Sequence, residues 1–77
     1  MNTIEEVLAY YKAHESELYD CLLHDGQGWY GAMNYENLKK ELPRVEQVCF
    51  RFPGRIPEGN VKMQIRPLSP DWDRPID

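Results

Sequence analysis

The run Asn60-Val61-Lys62-Met63-Gln64-Ile65-Arg66 alternates polar and apolar residues at every step, the period of two that a β-strand with one buried face requires. Residues 45–52 answer it with Val48, Phe50 and Phe52 on one face and Gln47, Cys49 and Arg51 on the other. The two runs, separated by the loop 53–59, predict an antiparallel hairpin. Its apolar sets align only in registers two residues apart. One sets Phe52 against Val61 and Phe50 against Met63, which places Arg51 opposite Lys62. The other sets Arg51 opposite Asn60 and Cys49 opposite Lys62.

Upstream, Thr3-Ile4-Glu5-Glu6 fits a capping box, in which the Thr side chain caps the first turn and Glu6 reaches back. Ile4, Val7, Leu8 and Tyr11 then recur at helical spacing, so a helix is expected from residue 4 to about residue 13. Residues 17–24 admit two readings, because Leu18 and Leu22 could extend the helical stripe while Tyr19, Cys21 and Leu23 alternate. The turn-forming Asp25-Gly26-Gln27-Gly28 that follows favours a first hairpin, about 18–24 with 28–33. Asn34 suits an N-cap and Pro43 a stop, giving a short helix over 35–42, with Met33 and Leu38 placed for a hydrophobic staple. From Pro67 onward, three prolines in Pro-Leu-Ser-Pro-Asp-Trp-Asp-Arg-Pro-Ile-Asp rule out a regular helix or a central strand.

These elements predict an α+β domain over residues 1–66, in the order α-β-β-α-β-β, with two helices on one face of a small antiparallel sheet of about four strands. An extended Pro-rich tail, 67–77, completes the chain. The expected core is Ile4, Val7, Leu8, Tyr11, Leu38, Leu42, Val48, Phe50, Phe52, Val61, Met63 and Ile65. At 77 residues the chain is near the lower limit for unaided folding, so a homo-oligomer or a bound partner is a reasonable expectation. No apolar run is long enough for a signal peptide or a membrane span, and Cys21 with Cys49 cannot make a disulfide framework. The expected setting is therefore the cytoplasm, without membrane attachment.

The formal charge of −4 argues against a general nucleic-acid binder, which normally carries a basic excess. Its distribution says more: residues 44–66 hold five bases and two acids, a basic segment in an otherwise acidic chain. Arg51, Arg55, Lys62 and Arg66 on or beside the second hairpin could therefore face an anion, such as a phosphate, a nucleotide or a partner's carboxylate. They could equally meet solvent or the chain's own acids, Asp71 and Asp73 included.

Trp29 or Tyr30, next to the Gly-rich turn, could stack on a ligand, although the segment matches neither the P-loop nor the dinucleotide fingerprint. Asp71, Trp72 and Asp73 form an acidic, proline-stiffened segment with a tryptophan anchor, suited to docking on a partner or to strapping the domain's own core. His24-Asp25 are adjacent in sequence, which does not orient the imidazole, and no serine or cysteine lies in a nucleophile motif. No catalytic residue, metal ligand or cofactor is assigned, and both histidines are expected at the surface or rim.

The function expected from these features is a small non-enzymatic protein that acts by protein–protein contact, as an inhibitor or adaptor. Its most specific version is a phage or mobile-element inhibitor of a host enzyme or defence complex. The alternative is a binder of a small anionic ligand such as a nucleotide, held by the Arg/Lys face of the second hairpin.

Overall fold

A computed structural model describes residues 1–32, 34–54 and 59–70. Two helices and a four-stranded antiparallel sheet make an α+β fold. Along the chain run α1 (Ile4–His14), β1 (Asp20–His24), β2 (Trp29–Ala32), α2 (Tyr35–Glu41), a 3-10 turn (Leu42–Arg44), β3 (Gln47–Arg51) and β4 (Val61–Gln64). The strands lie in the order β2-β1-β3-β4, so the first strand of each hairpin occupies the centre.

Local chemistry explains the ends of the elements. At the start of α1 both arms of the capping box form: Glu6 N–H donates to Thr3 Oγ1 at 3.0 Å, and Thr3 N–H donates to Glu6 Oε1 at 2.8 Å. Asn34 caps α2 by accepting from Asn37 N–H at 2.9 Å, and Pro43 converts its last turn into the 3-10 turn. The ambiguity at 17–24 resolves as a turn over 15–17 followed by β1. β1 is held there because its centre pairs on both sides, Leu23 with Tyr30 and with Val48. Met33, the proposed staple residue, lies outside the described residues.

The second hairpin takes the register that sets Cys49 opposite Lys62 and Phe50 opposite Val61. This choice separates Arg51 from Lys62, a like-charge pair that direct opposition would disfavour; on its other side Arg51 pairs with Asp20 of β1. The inner face, carrying Cys21, Leu23, Ala32, Val48 and Phe50, packs under Val7 and Tyr11 of α1 and Leu38 of α2. Every residue expected in the core is in the buried cluster or packed on it. The cluster also includes Cys21, Leu23, Ala32 and Val45, which were not expected. Tyr10 packs on Phe50 with ring centroids 4.8 Å apart, and Lys12 Nζ of α1 sits 4.3 Å from the Tyr35 ring centroid at the start of α2.

Candidate functional site

The face of the sheet turned away from the helices gathers most of the polar chemistry. The pairing places Trp29, His24, Gln47 and Gln64 in one row across all four strands, with Leu22, Cys49 and Lys62 in the next row and Asp20 beside Arg51 beyond it. Trp29 and Lys62 stand on opposite edge strands, three intervals or about 14 Å apart at the usual strand spacing. Even so, Lys62 Nζ lies 5.8 Å from the centroid of the Trp29 ring. Both side chains therefore lean inward over β1 and β3. Beneath them His24, Gln47 and Cys49 are only 1%, 8% and 6% exposed.

His24 is thus a buried residue and not the surface or rim residue expected from sequence. The cause is its position on a central strand, between Trp29 on β2 and Gln47 on β3. The Trp29 ring meets the imidazole edge-on at 4.9 Å, and Gly26 N–H donates to His24 Nδ1 at 3.1 Å. Among the described residues, the buried Gln47 Oε1 has no hydrogen-bond donor. Burial raises the pKa of the Cys49 thiol even with Lys62 and Arg51 nearby to oppose the shift, so at neutral pH it is a protonated, weak nucleophile.

The four cations singled out from sequence have different surroundings. Arg51 Nε donates to Asp20 Oδ1 at 2.6 Å and Nη2 to Asp20 Oδ2, a bidentate pair that raises the guanidinium pKa. Arg66 turns around the end of the sheet, where Nη1 donates to the carbonyls of Leu42 at 2.9 Å and Val45 at 2.6 Å. Those carbonyls belong to the 3-10 turn and its exit; Leu42 C=O also accepts from Val45 N–H at 3.2 Å, and Arg66 adds a charged donor to both. Lys62 remains exposed on the outer face. Arg55 lies outside the described residues, as do Asp71, Trp72 and Asp73.

Trp29 and Tyr30 point to opposite faces, as neighbours on a strand must, so they cannot stack together on one ligand. Trp29 is 39% exposed on the outer face. Tyr30 belongs to the helix side, where its hydroxyl donates to Glu41 Oε1 at 3.1 Å, and burial first and that hydrogen bond second raise its pKa. Two features around Arg51 escaped the sequence reading. One is Asp20, the acid that answers Arg51. The other is Tyr19, 69% exposed, with the Arg51 guanidinium 5.7 Å from its ring centroid. Asp20 follows from the strand parity of residues 20–24 once β1 is read as a strand; Tyr19 precedes the strand, and the parity of Cys21 and Leu23 would have turned it towards the helices.

Beyond β4 the chain returns to the turn between β1 and β2. Ser69 N–H and Oγ–H both donate to the Glu46 carboxylate, and Gly26 packs against the same pair, with φ +99° and room for no Cβ. No helix among the described residues is long and apolar enough to cross a membrane. Comparison with known proteins found no matching family model, no matching curated relative and no matching solved structure. The site is therefore read from its own chemistry.

Proposed function

We propose that this is a small non-enzymatic binding protein that acts by protein–protein contact, as an inhibitor or adaptor in the cytoplasm, through the outer face of its sheet. The observation that carries the reading is the Trp29–Lys62 pair, a half-exposed indole and an exposed ammonium leaning together on a face that no described helix covers. Tyr19 and the Asp20-paired Arg51 add a second cluster of aromatic and polar groups. Trp, Tyr and Arg are the residue types that most often dominate binding energy at interfaces, and charges around them set partner choice and encounter rate. The narrower version, a phage or mobile-element inhibitor, rests on size and charge alone.

The small-anion alternative draws less support. Of the cations it needs, Arg51 is already neutralised by Asp20 and Arg66 is spent on two backbone carbonyls. The experiment is an affinity capture from the native host with wild type, Trp29→Ala and Lys62→Glu in parallel. A stoichiometric protein retained by wild type and lost by both variants supports the reading. Equal retention by all three refutes the assignment of this face. Thermal stabilisation by nucleotides or phosphate that disappears in Lys62→Glu would instead favour the alternative.

A further inference from the structure

The two edges of the sheet are treated differently. The outer edge of β4 is partly covered, because Asn2 N–H donates to the Gln64 carbonyl at 2.7 Å, and Lys62 adds a charge there. Edge strands without such protection are templates for another strand. β2 has neither device: residues 26–32, Gly-Gln-Gly-Trp-Tyr-Gly-Ala, carry no formal charge.

The backbone alternation shows which groups β2 presents. The Ile65 N–H donates to the Glu46 carbonyl and the Glu46 N–H to the His24 carbonyl. Glu46 C=O thus points to β4, and His24 C=O to β3. By the alternation of an antiparallel ladder, Leu23 then points to β2 and its partner Tyr30 points back. The N–H and C=O groups of Trp29 and Gly31 are left on the open edge. Among the described residues no turn, loop or cap bond engages them. Gly31 is exposed, and a Cβ there would meet nothing within 4 Å. Nothing among the described residues requires glycine at this place, and close approach of another backbone is one of the causes that put glycine in a strand.

We propose that β2 is a homodimerisation edge: a second copy of this chain adds its own β2 antiparallel across a twofold axis at Tyr30, pairing Trp29 of each copy with Gly31 of the other. In this register each Trp29–Gly31 pair exchanges both N–H···O=C bonds, using the groups that face outward. The two Tyr30 rings meet across the axis on the helix side, a favourable cross-strand aromatic pair. The uncharged edge lets two copies of an acidic protein approach there. A four-residue strand buries little area, so the dimer forms with rising concentration and is not obligate. Assembly stops at two, because a twofold β2–β2 contact is isologous and uses both β2 edges, while the β4 edge is partly covered by Asn2. The inference does not depend on the outer-face reading, since it uses the backbone of Trp29 and not its indole.

The test is sedimentation velocity over a concentration series, with amide hydrogen exchange read at both ends of the series. Wild type should pass from monomer to dimer mass, and protection of the Trp29 and Gly31 amides should rise with it. Gly31→Pro removes an outward N–H that takes no part in the monomer's own ladder, so it should stay monomeric with an unchanged far-UV circular dichroism spectrum. Exchange in wild type gives the answer even if that variant misfolds. A monomer at every concentration, a dimer with Trp29 and Gly31 unprotected, or open-ended assembly would each overturn the proposal.

Discussion

Replacing Arg66 by Met keeps an aliphatic stem and removes the donors to the Leu42 and Val45 carbonyls, and the size of the loss discriminates a structural arginine from a ligand-facing one. Hydrogen bonds from a charged donor contribute about 1.5–3 kcal/mol each, and an acceptor stranded without water loses a similar amount. Arg66 is half-buried, so water can reach both carbonyls in the variant, and the pair together should be worth about 2 kcal/mol. A domain of this length is stable by about 4–12 kcal/mol, which makes that loss conspicuous. With a urea m-value of about 1 kcal/mol/M, the midpoint should fall by about 2 M. Arg51→Met is the control. Its pair with Asp20 keeps side-chain exposures of 40% and 30%, so solvent screens it and its loss should cost clearly less than that of Arg66. Urea unfolding followed by tryptophan fluorescence measures both. An Arg66→Met midpoint equal to wild type, or above that of Arg51→Met, would refute the assignment of Arg66 to the 3-10 turn.

Gly26→Ala meets two obstacles, the positive φ and a Cβ placed 2.8 Å from Ser69 Oγ. It should cost about 1–2 kcal/mol and lower Tm by roughly 5–15 °C; an unchanged Tm in calorimetry would contradict the packing of Ser69 on the turn. Burial pushes the Cys21 thiol up to about 12, and Cys21 and Cys49 face opposite sides of the sheet. Both thiols should therefore react with Ellman's reagent at neutral pH only after denaturation, and no internal disulfide should form under mild oxidation, as mass spectrometry would show. Backbone donors from Gln27 and Gly28 hold Asp25 below its ordinary value, Thr3 does so for Glu6, and Arg44 for Glu41. A carboxylate with a depressed folded-state pKa contributes stability above its unfolded value, near 4, and loses it as pH falls through the folded value. Tm should then drop between about pH 5 and pH 3, and a flat profile over that range would contradict these three contacts.

The fold was legible where one local signal dominates. The capping box, the stripe Ile4-Val7-Leu8-Tyr11 and the alternation around Phe50 and Met63 each leave one economical structure. β1 was harder because Asp20–His24 is buried on the inner face and shaded on the outer one, so Leu22 and His24 disguise its alternation. Its location at the centre of the sheet is a tertiary fact with no local signature. The same cause hid the site. Sequence identified Trp29 and Lys62 separately, but their meeting depends on the order β2-β1-β3-β4, which brings two segments far apart in the chain onto one face. Charge counting also left open what answers Arg51 and Arg66, since neither Asp20 nor a pair of backbone carbonyls can be matched to them before the strands are placed.

The central pairing of β1 with β3 also has a consequence for how the chain comes together. The molecule divides into two consecutive helix-hairpin units, α1-β1-β2 and α2-β3-β4, whose first strands meet antiparallel at Leu22 and Cys49. Each unit alone exposes the long edge that the other covers and half of the apolar floor beneath the helices. Local hairpin closure is fast, whereas bringing β1 and β3 together closes a long loop. Docking of the two halves is then the slow step. A chain severed between residues 32 and 34 retains both halves intact, and fragment complementation should rebuild the native sheet from two pieces that do not fold apart.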